Sequence, residues 1–87
     1  MGQIIEFENN SQKKLEIWLE PSAEDIQLLQ DETMFIELIE TNHKFNDKLT
    51  IVLENDRLII YECRQFDMKI FINQELKYYT TPDMPRI

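Results

Sequence analysis

Short apolar runs of five to eight residues recur along this 87-residue chain, and Asn, Asp, Ser, Pro and Gln separate them. Runs of this length, rich in Ile, Leu, Phe and Tyr, are typical of β-strands. The only glycine is Gly2, so the turns between the runs have to be made by Asn and Asp, of which there are six each. The pattern predicts an all-β chain, and the lack of further glycines rules out a glycine-rich phosphate-binding loop.

The clearest alternation of apolar and polar residues runs from Leu15 to Glu20. Because successive side chains on a strand point to opposite faces, one face is predicted to be core and the other carries Trp18. Seven to eight short strands of this kind form a small antiparallel sandwich or a flattened barrel, and the chain length favours a single domain over residues 1–87. The other predicted strands are Gly2 to Phe7, Asp25 to Leu29, Met34 to Thr41, Leu49 to Glu54, Arg57 to Cys63, Met68 to Ile72 and Glu75 to Tyr79.

The segment 22–32 is open to two interpretations. Ser22-Ala23-Glu24-Asp25 resembles a capping box and is preceded by Pro21, which favours a helix. The residues from Asp25 to Leu28 alternate, and the later apolar residues do not continue a helical stripe, which favours a strand. We prefer the strand, with the turn at residues 30–32.

Two turns are predicted to be two-residue hairpin connections. Asn55-Asp56 and Asn73-Gln74 each place an Asn at the first turn position, where a positive φ is needed and Asn tolerates it. In the absence of glycine, the second position of each turn is expected to be strained.

The chain has one histidine, His43, and one cysteine, Cys63. His43 is expected to be a solvated loop residue, and His43 with Asp47 falls short of the three or four ligands that zinc or iron requires. Cys63 ends a predicted strand and is expected to be a packed thiol. We therefore expect no enzyme activity, no catalytic residue, no cofactor and no metal site.

Two further features bear on location. No run approaches the roughly 18 apolar residues of a membrane-spanning helix, and residues 1–6 lack the basic and apolar regions of a signal peptide. A single cysteine forms no internal disulfide, which is typical of a reducing compartment. Together they predict a cytoplasmic protein.

The chain is acidic, with 17 acidic and 9 basic residues and a net charge of −8. This charge argues against nucleic acid or an anionic membrane as a partner and favours a basic protein. The imbalance is local, because residues 15–43 contain eight acidic residues and no Lys or Arg, whereas the segments before and after are neutral. A self-repelling stretch of this kind destabilises a small domain, which indicates a binding role.

Trp18 lies within this acidic stretch. An aromatic side chain between Glu16 and Glu20 has the composition of an interface anchor for a basic protein. The alternative is that Trp18 is covered by a second layer or by the loop that begins at Pro21. The predicted partner-binding residues are Glu16, Trp18, Glu20, Glu24, Asp25, Asp31 and Glu32.

Two stretches resemble a pattern in small bacterial β proteins. In the stretch from Leu15 to Leu28, as in that pattern, a strand ends in Glu-Pro, Ala-Glu follows, and a second strand begins. The stretch from Phe71 to Leu76 resembles the closing hairpin of the same group. The group has Pro-Gly and Asn-Gly turns, and both glycines are missing here. The resemblance covers about a quarter of the chain and is structural rather than catalytic.

In size and acidity the chain is also similar to the cytoplasmic immunity proteins of bacterial contact-dependent growth inhibition systems, which neutralise toxin domains. Those proteins share no universal motif, so the similarity transfers no residue. It implies an inhibitor that places carboxylates where a nuclease toxin would bind phosphates.

Three functions are open from the sequence. The first is an immunity protein whose acidic segment, from Glu16 to Glu40, docks on a basic toxin nuclease, as a monomer or a weak homodimer. The second is a small structural or regulatory binding module whose acidic surface serves only solubility. The third is a reduced cupin-like enzyme that depends on His43.

Overall fold

The computed structural model describes residues 2–40, 48–62 and 66–80. These residues form eight strands, as predicted, and the segment 22–32 contains a strand rather than a helix. In the described ranges no helix is long and apolar enough to cross a membrane. The predictions for His43, Asp47 and Cys63 fall outside the described residues. The strands are β1 (Gly2–Glu8), β2 (Leu15–Glu20), β3 (Glu24–Leu28), β4 (Thr33–Glu40), β5 (Thr50–Glu54), β6 (Arg57–Tyr61), β7 (Phe66–Ile72) and β8 (Glu75–Thr80).

The strands form two four-stranded sheets, which confirms the predicted small sandwich. Sheet 1 has the strand order β1-β4-β7-β8, and sheet 2 has the order β3-β2-β6-β5. Neighbouring strands are antiparallel except for β2 and β6, which are parallel. Sheet 2 consists of two antiparallel hairpins, β2–β3 and β5–β6. They join side by side with β2 next to β6, and these two strands run in the same direction.

A hydrophobic core lies between the two sheets. On β2, Leu15, Ile17 and Leu19 are 9, 0 and 0 % exposed, so the predicted core face is confirmed. Burial of a side chain of this size contributes about 1.5–3 kcal/mol, which makes the core the main stabilising contribution. The buried core residues are Leu15, Ile17, Leu19, Leu28, Met34, Ile36, Leu38, Leu58, Ile60, Met68, Ile70, Ile72 and Tyr78.

Asn9 is the only fully buried polar residue among those described, with 2 % of its surface exposed. Its Nδ2 donates to the carbonyl oxygens of Lys13 (2.9 Å), Leu28 (3.0 Å) and Leu29 (3.2 Å). Its Oδ1 accepts from the backbone N–H (3.1 Å) and the hydroxyl (2.6 Å) of Ser11. The side-chain amide therefore has partners for both its donor and its acceptor groups, as a buried polar group requires.

The backbone of Asn9 also hydrogen-bonds to the β3–β4 connection. Its N–H donates to the carbonyl of Glu32 (3.0 Å), and its carbonyl accepts from the N–H of Asp31 (2.7 Å). The β1–β2 and β3–β4 connections both cross from one sheet to the other. Asn9 thus ties the two crossings together. The sequence predicts turns at its six Asn residues, and the burial of Asn9 adds a second role at this one.

The two hairpin turns differ in their second residues. Asn55 and Asn73 have φ angles of 56° and 54°, as predicted for the first turn position. Gln74, at the second position of the β7–β8 turn, has a φ of 65°, whereas Asp56 is not among the described residues with positive φ. The expected strain at the second position is therefore present only at Gln74.

The Asn9→Asp variant should be less stable by about 2–4 kcal/mol, because a carboxylate has no N–H to donate and its charge would be buried. Urea denaturation measures the loss. Asn10→Asp is the matched control, since Asn10 is exposed, and it should change the stability by less than about 1 kcal/mol. Equal effects of the two variants would contradict the role given to Asn9.

The Gln74→Gly variant should be more stable by about 0.5–1 kcal/mol, because glycine adopts a positive φ without a Cβ clash. Asp56→Gly is the control, and it should not stabilise the chain because Asp56 needs no positive φ. Thermal unfolding of both variants provides the comparison. A gain at Asp56 as large as that at Gln74 would show that turn strain is not the cause.

Candidate functional site

The outer face of sheet 2 is built around Trp18. Trp18 lies on a central strand, and the register places Asp25 of β3 on one side of it and Ile59 of β6 on the other. Val52 of β5 is opposite Ile59. Because cross-strand partners share a face, these four side chains form one row across the sheet.

The neighbouring row is charged. The register aligns Glu16 with Arg57, and Arg57 with Glu54, so Arg57 has a carboxylate residue on each side. Glu20 lies on the same face of β2, beyond Trp18. We call this surface the Trp18 face. It consists of Glu16, Trp18, Glu20, Asp25, Gln27, Thr50, Val52, Glu54, Arg57, Ile59 and Tyr61.

The indole ring of Trp18 is held by two charged neighbours. Its Nε1–H donates to Oε1 of Glu20, two residues along the strand. Cζ of Arg57 lies 6.0 Å from the ring centroid, at the outer limit of a cation–π interaction. Trp18 is half-buried, and Ile59 beside it is only 8 % exposed. The ring is therefore positioned before any partner binds, which lowers the entropy cost of binding.

Four of the seven residues predicted to bind a partner lie on the Trp18 face: Glu16, Trp18, Glu20 and Asp25. Glu24 precedes Asp25 on β3 and therefore points to the opposite side. Asp31 and Glu32 lie in the β3–β4 connection. Oε2 of Glu32 accepts from Nδ2 of Asn73 at 2.5 Å, which gives Glu32 a structural contact with the β7–β8 turn.

The acidic stretch is divided between the two sheets. Its first residues lie on β2 and β3 of sheet 2, but Glu37 lies on β4 of sheet 1. Adjacent acidic segments of the sequence therefore do not form one surface. The Trp18 face is acidic because Glu54 joins the carboxylates of β2 and β3, so that four carboxylates accompany one guanidinium.

Sequence reasoning missed the residues that the β5–β6 hairpin contributes. Val52, Glu54, Arg57 and Ile59 reach the Trp18 face through the parallel pairing of β2 with β6. The alternation of each strand indicates which side chains share a face, but the pairing of distant strands leaves no local pattern. The Asn55-Asp56 turn was the available signal that β5 and β6 are neighbours.

A shallow depression of about 470 Å³ borders the Trp18 face. Its charges are mixed, and Nζ of Lys13 lies 3.8 Å from Oδ2 of Asp56 with both side chains exposed. Such a pair contributes at most about 1 kcal/mol. The lining contains three acidic and three basic side chains, which does not favour an anion or a cation. The lining residues are Lys13, Lys14, Glu16, Glu54, Asn55, Asp56 and Arg57.

The outer face of sheet 1 is a second candidate surface, which we call the Phe35 face. Ile4, Phe35, Leu76 and Tyr79 are 67, 38, 49 and 47 % exposed there. Nζ of Lys69 lies 5.4 Å from the ring centroid of Tyr79. This face is more apolar than the Trp18 face and also acidic. It consists of Ile4, Glu6, Phe35, Glu37, Ile39, Asp67, Lys69, Phe71, Leu76 and Tyr79.

One cluster of hydroxyl and carboxylate groups joins the two sheets. Ser22, in the β2–β3 turn, and Tyr78, on β8, donate to the same oxygen of Glu62, at 2.6 and 2.5 Å. The two hydroxyl oxygens are 2.7 Å apart. Tyr78 is 7 % exposed, so access to the cluster is restricted. The contacts are those of a partly buried polar link between the sheets.

Within residues 2–40, 48–62 and 66–80, no three His, Cys, Asp or Glu side chains are grouped so that they could hold a metal ion. The candidate sites are the two exposed sheet faces. Of these, the Trp18 face combines an aromatic residue with four carboxylates. Neither a protein-family model, nor a curated protein, nor a solved structure matches this chain.

Proposed function

We propose that the chain is a protein-binding inhibitor of the immunity type, which docks its Trp18 face on a basic toxin in the cytoplasm. The toxin class that fits best is a nuclease, because a nuclease active site presents Lys and Arg for the phosphate backbone. Carboxylates placed in that site compete with the substrate. They also increase the association rate.

The observation that carries the proposal is the arrangement around Trp18. Trp and Arg are enriched at binding hot spots, and here Arg57 lies beside the ring. Asp25 and Glu16 surround this pair with negative charge. The central position on the sheet matches the usual anatomy of an interface, in which an anchor is surrounded by a polar rim.

Both outer faces are acidic, so charge alone does not distinguish them. The Phe35 face has Glu6, Glu37 and Asp67 with Lys69, and it carries exposed apolar residues but no tryptophan. The choice of the Trp18 face therefore depends on its aromatic anchor. A structural or regulatory module remains the alternative function, and the two are separated by whether inhibition depends on these carboxylates.

The double variant Glu16→Lys/Asp25→Lys should bind the toxin at least about 100-fold more weakly, because two attractive charges become repulsive. The toxin to test is any basic nuclease whose gene is found to lie beside the gene for this chain. Expressed alone it should arrest growth, and co-expression of the wild-type chain should restore growth. Calorimetric titration with the purified nuclease measures the affinity.

The control is Glu6→Lys/Glu37→Lys, which makes the same change in net charge on the Phe35 face and should still restore growth. Equal loss in both variants would show that net charge, not the Trp18 face, governs binding. If the Trp18-face variant still restores growth, or if no basic nuclease neighbour binds the chain, the inhibitor proposal is wrong.

A further inference from the structure

Each sheet edge of a β protein exposes backbone N–H and C=O groups, and natural edges are usually protected by charges, bulges or proline. Three of the four edges here have such protection. β3 presents Glu24 and Asp25, β1 presents Glu6 and Glu8, and β8 carries a register irregularity opposite Ile70 and Phe71.

β5 is the remaining edge, and it is poorly protected. All five of its residues are exposed, and its centre is Ile51, Val52 and Leu53, at 38, 37 and 66 %. Its only charge is Glu54, at the end. An exposed edge strand with apolar side chains on both faces is a template for pairing with another strand.

The hairpin geometry determines which backbone groups of β5 point outward. The two-residue turn makes Glu54 and Arg57 the first pair after the turn. In such a hairpin the backbone groups of this pair hydrogen-bond to each other. Hydrogen-bonded and non-hydrogen-bonded pairs then alternate along the two strands. The N–H and C=O groups of Ile51 and Leu53 are therefore directed away from β6, where they can bond to an added strand.

The sequence of β5 is complementary to itself in the antiparallel direction. With Val52 opposite Val52 of a second copy, Ile51 is opposite Leu53 and Thr50 is opposite Glu54. The residues that bond outward, Ile51 and Leu53, are then opposite each other. Four inter-strand hydrogen bonds form, and Val52 meets its copy in a non-hydrogen-bonded pair.

Charge also fits a second copy. Glu54 is opposite Thr50 rather than another Glu54, so no like charges face each other within the strand. Lys48 precedes β5 and is exposed, and this register brings it diagonally toward Glu54 of the other copy. The two-fold symmetry repeats each favourable contact.

We propose that the chain forms a homodimer by antiparallel pairing of β5 with β5 of a second copy, centred on Val52. One five-residue strand against another is a small interface, so we expect a weak dimer that forms reversibly as the concentration rises. The two copies of sheet 2 then form one eight-stranded sheet. The rows of Trp18, Ile59 and Val52 from the two copies become continuous across the two-fold axis.

This inference does not depend on the proposed function. Because each copy carries a net charge of −8, added salt should strengthen the dimer by screening the repulsion between copies. In sedimentation equilibrium the wild-type chain should approach twice its mass of 10.6 kDa as its concentration rises. Val52→Lys should raise Kd more than about tenfold, because two lysines meet at the axis.

Leu76→Lys is the matched control, since Leu76 is an exposed strand residue on the Phe35 face, and this variant should still dimerise. Circular dichroism establishes that both variants are folded. A monomeric wild-type chain at millimolar concentration overturns the proposal. So does a dimer that survives Val52→Lys and is lost in Leu76→Lys, because that result places the contact on the Phe35 face.

Disulfide trapping tests the register without relying on the lysine variant. In a Cys63→Ser background, Val52→Cys should form a linked dimer on mild oxidation, because non-hydrogen-bonded partners have Cα atoms about 4.5 Å apart. Ile51→Cys should link poorly, because its copy is displaced along the strand beyond the range of a disulfide. Equal linking at the two positions would exclude the register.

Discussion

The side-chain amide of Asn9 holds the two sheets in their relation to each other. It donates to the carbonyl of Lys13, in the β1–β2 connection, and to those of Leu28 and Leu29, at the end of β3 and at the start of the β3–β4 connection. Hydrophobic burial can hold two sheets face to face, but it has no direction and does not fix how they are offset. A buried hydrogen-bonding centre of this kind fixes the ends of the strands at one position.

The Trp18 face depends on the pairing of strands within sheet 2. Trp18 and Arg57 belong to different hairpins, and the parallel junction of β2 with β6 brings them side by side. On β2 alone, Trp18 would have only Glu16 and Glu20 as neighbours on its face. The second hairpin supplies the cation beside the ring and an additional carboxylate, Glu54.

The strands were predictable from the sequence because their signal is local. Alternation identified the core face of β2, and the Asn residues identified two turns, with φ angles of 56° and 54° at Asn55 and Asn73. What could not be predicted depends on distant partners. The parallel pairing, the division of the acidic stretch between two sheets, and the burial of Asn9 all arise from contacts between segments far apart in the chain.

The difference between local and distant contacts also determines which residues of the Trp18 face could be predicted from the sequence. Glu16, Trp18, Glu20 and Asp25 lie within one hairpin, and composition alone grouped them. Asp31 and Glu32 are close to them in the sequence, yet they belong to a connection between sheets. Acidic residues that are close in the sequence therefore share a surface when they lie in one hairpin, but not when a connection between the sheets separates them.

The parallel pairing of β2 with β6 also has a consequence for the order in which the chain folds. Glu16 and its partner Arg57 are roughly 40 positions apart, so the chain loses much conformational entropy before this pairing contributes any stability. Local hairpins close within about 1–10 µs. The centre of sheet 2 cannot form until β6 is available to pair with β2. During synthesis, the β2–β3 hairpin is therefore complete while one edge of β2 is still unpaired. Folding of this chain is therefore expected to be limited by the meeting of two preformed hairpins, on the millisecond to second scale of β-sandwich proteins.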